Sequence, residues 1–294
     1  MIFRDEGGRC YHTGVKRGEI NPYILMAGPP GRVRMVASNL KRPVTVSKQS
    51  EERGVVVING FYNEVPLTVV NHGMGTPSAS IILREIIESI DFSREKRATI
   101  IRIGTCGSLQ KYVKVGDIVV STGCVREDGT TQLIVHNEYP AVPDLKTTLS
   151  IVLAAEDAGY KIGEDLWVGI THAKSELYGF ETPSLSAIPE ELEDRLKSYK
   201  RMGVLATEME FPIFTILADM YNAEWRKEGK QYRVDVGCAL LVVSPAKEES
   251  EQVEFKKPSR KGLIEIGLKA MENKKKWDEG KFDGLKELSA LYDL

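Results

Sequence analysis

Residues 101–110 read IRIGTCGSLQ. The run leading into them, ATIIRIG from Ala98 to Gly104, is rich in isoleucine and has the pattern of a short strand buried on both faces, as in a layered α/β sheet. An arginine inside such a strand is costly unless a negative charge meets it, so Arg102 needs an anion. The stretch that follows, Gly104-Thr105-Cys106-Gly107-Ser108, consists mainly of small and hydroxyl-bearing residues. It reads as a loop at a strand end, and the backbone N–H groups of such a loop are equipped to hold a phosphate or a carboxylate. A structural Arg–Glu pair would satisfy Arg102 equally well, and these residues alone leave both open.

Outward from this strand the chain alternates short apolar runs with helical patterns. YILMAG, Tyr23 to Gly28, runs into PPGRVRMVASNL, a Pro/Gly turn that opens a helix. GVVVING and VPLTVVNHG read as a hairpin about the turn FYNE. GTPSASIILREIIESI places Pro77 and Ser78 at a helix start and Ile81, Ile82, Ile86, Ile87 and Ile90 at helical spacing. With ATIIRIG and GDIVVST as further strands, the order β-α-β-β-α-β-β predicts a layered α/β domain with a mixed sheet. The second half adds a helix ending at Gly159, the strand LWVGIT and the polar helix EELEDRLKSY. GVLATEMEFPIFTILADMYN passes from strand into helix, and VDVGCALLVVS is the most apolar strand. SRKGLIEIGLKAMENKKKW closes the core as an amphipathic helix, with Leu263, Ile266, Ala270 and Met271 on one side. No repeat or linker interrupts this order, so one domain over 1–277 and a charged tail over 278–294 are expected.

A chain of 294 residues with 42% hydrophobic content is sufficient for a real core. Its net charge of −2, from 40 basic and 42 acidic residues, provides no global field toward nucleic acid or anionic lipid, so any anion site must be local. There is no basic-then-apolar N-terminus, and no apolar run reaches the roughly 18 to 20 residues of a membrane span. The expectation is a cytoplasmic protein with neither nucleic acid nor membrane as partner. Cys10, Cys106, Cys124 and Cys238 are widely spaced with no C-x-x-C pair, which indicates neither a zinc site nor a disulfide framework. Cys106 has no His or Lys nearby in sequence to activate it and reads as a small residue, not a nucleophile.

Four glycine-bearing turns, AGPPGRV, NHGMGTPS, RIGTCGS and VSTG, end apolar strands, where ligands of open α/β sheets gather. Arg32 and Arg102 lie near two of these ends, and with the Gly28 amide and the Thr105 hydroxyl they make a candidate site for a tetrahedral oxyanion. AGPPGRV lacks the G-x-G-x-x-G spacing of a dinucleotide-binding turn. In ATEMEFP, Glu208 and Glu210 stand two apart where a strand meets a helix. In extended backbone both point the same way and can accept from paired hydroxyls such as a ribose diol. One solvated glutamate beside one at a helix N-terminus is the structural alternative.

Taken in order, YHTG, AGPPGRV, NHGMGTPS, IRIGTCGSLQ, VREDGTT, EYPAV and TEMEF resemble the nucleoside phosphorylase family of the uridine phosphorylase and hexameric purine nucleoside phosphorylase type, from Tyr11 to Ser244. The resemblance implies a single three-layer α/β/α domain with a mixed central sheet. It implies reversible phosphorolysis of a ribonucleoside, uridine first, to free base and ribose 1-phosphate, with inorganic phosphate as co-substrate and no metal or organic cofactor. Carried over residue by residue, it implies that Gly28, Arg32, Arg102 and Thr105 hold phosphate, joined by Arg53 from a neighbouring subunit. Met209 would pack against the ribose, Glu210 would bind its hydroxyls, and the neighbour's copy of His12 would meet the 5′-hydroxyl. Gly107, Tyr178, Glu181 and Glu208 would surround the base, with Arg32, Arg102 and Glu210 carrying catalysis. A site shared between chains makes a dimer the minimum unit, and the family often assembles three such dimers into a hexamer.

The base pocket departs from both branches of the family. Uridine phosphorylases carry a Gln and an Arg two apart after a Tyr; in SELYGFETPS those places fall to Glu181 and Pro183. The purine enzymes carry an Asp just after the last core strand; in LLVVSPAKEE that place is Pro245, after Ser244. A purine leaving group gains roughly 10²- to 10⁴-fold from a general acid, whereas uracil can leave as an anion, so the missing acid weighs toward uridine. An acceptor-only Glu181 suits guanine's adjacent N–H donors better than uracil's N–H between two carbonyls, so a uridine enzyme would have to turn it away or protonate it. Uridine is the expectation, and guanosine, inosine or adenosine the alternative. A nucleosidase, which uses water, would have no use for three arginines around an anion. A catalytically idle nucleoside-binding protein would not need every phosphate and ribose position filled.

Overall fold

A computed structural model of the chain describes residues 2–46, 53–246 and 257–281. The first half runs β1 (Tyr23–Ala27), α1 (Pro30–Ala37), β2 (Lys41–Thr45), β3 (Val57–Tyr62), β4 (Val65–Asn71), α2 (Gly75–Ile87), β5 (Arg97–Ser108) and β6 (Ile118–Glu127). The second half runs α3 (Gly129–Gln132), α4 (Leu145–Asp157), β7 (Leu166–Lys174), α5 (Tyr178–Glu181), α6 (Pro189–Arg201), β8 (Ala206–Glu208), α7 (Phe211–Lys227), β9 (Arg233–Ser244) and α8 (Lys261–Asp278). This is a mixed α/β fold around one mixed sheet, as the order of apolar runs predicts. Period-2 alternation sends Ile24, Met26, Ile100 and Leu240 to one face, where α2 and α7 cover them. It sends Leu25, Ala27, Ile101, Ile103 and Leu241 to the other, under α1, α4 and α8. The predicted stripe of α8, Leu263, Ile266, Ala270 and Met271, is fully buried there. α8 crosses so close that a Cβ at Gly267 would lie 2.9 Å from Ile103, which accounts for a glycine in mid-helix.

Several boundaries differ from the sequence reading. The hairpin of β3 and β4 turns at Asn63 and Glu64, with Asn63 at φ 49°, so Phe61 and Tyr62 belong to the strand. α2 begins at Gly75, two residues before Pro77. β2 had no apolar signature, and all five of its residues are exposed. Residues 282–294, most of the expected tail, lie outside the described residues, and α8 extends one residue past Trp277.

The main correction concerns Gly104-Thr105-Cys106-Gly107-Ser108, which is strand and not loop. β5 pairs in parallel with β9 along almost its whole length, from Arg97↔Arg233 to Gly107↔Ser244. Its other edge is shared: β1 pairs up to Ala27↔Ile103, and β8 takes over in antiparallel sense at Gly107↔Thr207. β8 continues to β7, β7 to β6, and β6 to β9, so these five strands close on themselves beside the open part of the sheet. Between the end of β1 and the start of the β8 pairing, the edge of β5 is open at Gly104, Thr105 and Cys106.

At the opposite end of β5 and β9 a buried charge cluster pins the fold. The fully buried Asp235 carboxylate meets Lys274 Nζ at 3.1 Å, Arg97 Nη1 at 2.6 Å and Arg233 Nε at 2.5 Å, and Lys274, itself fully buried, also meets Asp278 at 2.6 Å. Burial alone would raise the Asp235 carboxyl; Lys274 and the two arginines hold it below the ordinary value instead. Its stabilisation is therefore complete above the unfolded carboxyl range and is lost as pH falls through the depressed folded value. Asp235→Asn should cost about 3–5 kcal/mol at neutral pH, measured by denaturant unfolding, because it leaves Lys274 buried with one partner fewer. The difference from wild type should narrow as pH drops below the carboxylate range.

Candidate active site

The opening in the edge of β5 collects the residues singled out in the sequence. Gly28 follows β1, and a Cβ there would lie 3.3 Å from Gly73 O, so the two glycine turns pack backbone to backbone. Arg32, in the first turns of α1, is 5% exposed and donates from Nη1 to Ile103 O at 2.9 Å, while its Nε is buried with no partner among the described residues. Thr105 is half-buried on the open edge. Burial, then the charges of Arg102 and Arg260, push the Arg32 guanidinium down to about 10. Arg260 immediately precedes α8, and its Nε is likewise buried and unpartnered. Three guanidinium groups thus lie close enough for the charges of Arg102 and Arg260 to act on Arg32.

Arg102 is 3% exposed on the α2/α7 side of β5. Its Nη2 is hydrogen-bonded to Glu210 Oε2 and lies 3.1 Å from Glu208 Oε2; Nη1 lies 3.5 Å from Cys238 Sγ, and Nε is unpartnered. Burial opposes its charge, but the two glutamates overcome this and raise its pKa above the ordinary arginine value. Both readings of Arg102 thus draw support from this geometry: it has a structural carboxylate partner, and it keeps donor capacity to spare.

The two glutamates are not equivalent. Glu208 accepts from Glu210 N at 2.8 Å and Phe211 N at 2.9 Å, which ties it to the first turn of α7. Burial pushes its pKa up, with the neighbouring charge of Glu210 adding to this against Arg102. Glu210 accepts from Gly75 N at 2.8 Å, at the start of α2, and although burial opposes its charge, Arg102 holds it below the usual carboxylate value. Arg102 thus favours the ionised form of Glu210 more than that of Glu208, and Met209 lies half-buried between them. Neither is the solvated glutamate of the structural alternative. Glu208, placed near the base by the family resemblance, is engaged by Arg102 and two backbone N–H groups.

At the far end of the opening, Gly107 sits opposite Thr207 and Ser244. A Cβ at Gly107 would lie 3.7 Å from each of these side chains and 3.9 Å from Glu181 Oε1. Glu181 is ion-paired with Lys174, the last residue of β7, which is 2% exposed. Tyr178 belongs to the same short helix as Glu181 but is 68% exposed. Cys106 is buried and burial raises its thiol well above the ordinary value, consistent with a small packing residue.

His12 and Arg53 meet each other's surroundings instead of the arginine pocket. His12 Nδ1 lies 2.7 Å from Glu85 Oε1, its ring packs edge-on against Tyr11, and Arg53 donates to the Tyr11 hydroxyl at 2.9 Å while lying 4.8 Å from that ring's centre. Tyr11 is 58% exposed, so this group faces outward. Three buried or partly buried groups near the predicted site residues carry no signal in the sequence. Lys174 ends an apolar strand, where a lysine ordinarily snorkels to water. Arg260 lies in a polar stretch with no motif. His72 sits inside the quoted NHGMGTPS, yet only the structure shows it fully buried with both ring nitrogens unpartnered, pushed down to about 3 by burial and then by Arg102.

The family model described as Phosphorylase superfamily matches residues 22–226, which includes Gly28, Arg32, Arg102 and Glu210. The chain is similar to a uridine phosphorylase of Treponema pallidum, at 30% identity over 79% of this chain and 81% of that protein. It is also similar to a uridine phosphorylase of Thermococcus kodakarensis, at 28% identity over 94% and 90%. A guanosine phosphorylase of Halorubrum lacusprofundi is 32% identical over 68% and 73%.

An anion that binds only the folded state stabilises it by about 2.7 kcal/mol at a hundred times its Kd. Inorganic phosphate should therefore raise the thermal midpoint, and Arg32→Gln should shrink that rise. An unchanged rise in the variant, read by calorimetry, would remove Arg32 from the anion site.

Proposed function

This chain belongs to the phosphorylase superfamily, and from that premise we propose that it is a nucleoside phosphorylase that cleaves uridine to uracil and ribose 1-phosphate. The observation that carries the proposal is the buried Arg102, shared by two glutamates and placed beside Arg32 at the open edge of β5. Arg32, Arg102, the Gly28 amide and Thr105 hold phosphate. The anionic Glu210, fixed by Gly75 N, accepts from the ribose hydroxyls, and Met209 packs against the sugar.

The chemistry follows from charge. As the C1′–N bond breaks, its electron pair goes to the base and positive charge develops on the ribose ring. A phosphate dianion held against that face stabilises the charge and then forms the C1′–O bond. The arginines position the dianion and the carboxylate orients the sugar, so catalysis is mainly alignment and electrostatics. Uridine is the substrate this reading favours because Ser244 and Pro245 offer no acid to a purine, and because two relatives aligned over most of their length are uridine phosphorylases. One observation favours a purine nucleoside as the second reading: the Glu181 carboxylate beside Gly107, an acceptor for adjacent N–H donors.

The outward-facing group of Tyr11, His12 and Arg53 supports a site completed across a subunit boundary, with His12 and Arg53 serving the neighbour's nucleoside and phosphate. The minimum unit is then a dimer, with a hexamer as the larger assembly, in the cytoplasm. Base release from uridine should require phosphate, and equal rates in phosphate-free buffer would favour a nucleosidase. Arg102→Ala should raise the phosphate KM and lower kcat, since each charge-assisted bond lost is worth about 1.5–3 kcal/mol. For the shared site, an inactive His12→Ala protein reassembled with an inactive Glu210→Ala protein should regain activity in hybrid sites. No recovery despite proven subunit exchange would mean that each site is built from one chain.

A further inference from the structure

Lys174 needs an explanation that stability does not supply. Its side chain is 3% exposed, and among the described residues Glu181 is its one partner. A buried lysine–glutamate pair is generally no more stable than apolar residues of the same size, so the pair is not explained by folding alone. It lies beside Gly107, Thr207 and Ser244, at the end of the opening away from Arg32 and with Glu181, 15% exposed, on its outer side. No acid stands at Ser244 and Pro245, and Pro183 cannot donate to a base.

We propose that Lys174 is the group that binds the carbonyl of the departing base and stabilises the negative charge it acquires, with Glu181 as its counter-ion and as acceptor for the adjacent ring N–H. This rests on the phosphorolysis reading and deepens it. An ammonium is donor-only and a carboxylate acceptor-only, so together they complement a carbonyl next to a ring N–H. Uracil presents that edge, as do guanine and hypoxanthine. Cytosine and adenine carry an amino group beside a ring acceptor, so in the same orientation donor would face donor and acceptor would face acceptor. The concern that Glu181 clashes with uracil thereby disappears, because its charge is already balanced by Lys174. When the C1′–N bond breaks, the electron pair left on the base spreads to its carbonyl oxygens, where the ammonium stabilises it. Phosphate takes the ribosyl group, and the base anion is protonated from water afterwards. The site therefore needs no general acid.

The test compares uridine with 5-fluorouridine, whose fluorine already stabilises the departing anion. Lys174→Met should lower kcat/KM for uridine at least about a hundredfold, mainly through kcat, with a clearly smaller loss for 5-fluorouridine and little change in the phosphate KM. Lys174→Arg, which keeps a cation, should recover part of the loss. Equal losses for the two substrates, with no recovery in Lys174→Arg, would make the pair structural and overturn the proposal. If Lys174→Met does not fold, the wild type still decides: it should prefer uridine over cytidine, or inosine over adenosine, by about a hundredfold or more. Comparable rates within each pair would overturn the assignment while leaving phosphorolysis intact. A wild type that releases no base from any nucleoside overturns both.

Discussion

A positive charge buried in the middle of a sheet has to be answered, and the arrangement of this molecule around Arg102 is the answer. The side chain has almost no contact with water, so Glu208 and Glu210 must come to it. Those carboxylates would themselves be costly to bury without help. Each is met by backbone N–H groups at a helix start, Glu210 by Gly75 at α2 and Glu208 by Glu210 and Phe211 at α7. One arginine on a central strand thereby fixes where two helices begin and how the β8–α7 junction turns. The same network separates the glutamates: one is pushed toward the neutral form, the other is held ionised.

The topology provides the space. β5 is long enough to serve β9 on one edge and two different strands on the other, and the handover from β1 to β8 leaves three residues of that edge free. A strand without a neighbour presents unpaired backbone groups, which in a buried setting are costly unless something polar meets them. The closed ring of β5, β8, β7, β6 and β9 keeps the handover from collapsing, because β8 is held on its far side by β7. The opening is thus a consequence of strand order, with Arg32 and Gly28 at one end and Gly107 at the other.

Much of this is legible in the sequence. The layered α/β class, the strands β1, β3 to β7 and β9, the buried stripe of α8 and the need of Arg102 for a negative partner follow from apolar periodicity and the cost of burying charge. The Gly104 to Ser108 segment reads as a loop for a physical reason: its composition is that of a turn, and β9 along its length and β8 at Gly107 and Ser108 hold it extended. Glu208 and Glu210 could not be told apart by spacing, because what distinguishes them is which helix start each one meets. Lys174 and His72 were invisible as buried groups, since burial of a strand-end lysine or of a histidine before a glycine turn is decided by elements distant in the chain.

The unsatisfied polar atoms show where the fold departs from maximum stability. Apart from the hydroxyls of Thr13 and Thr99, every buried side-chain nitrogen or oxygen without a partner among the described residues belongs to Arg32, His72, Arg102 or Arg260. Each such atom costs on the order of 1–3 kcal/mol, and a fold shaped only for stability would have paired or removed them. Elsewhere comparable groups are satisfied: the Asp235–Lys274 cluster shows that this chain can bury several charges with good geometry. The unmet donors of Arg32, Arg102 and Arg260, whose charges act on one another, therefore belong to one region and not to loose packing in general. On the proposed reading, an anion bound beside Arg32 would meet donor groups that no described residue occupies.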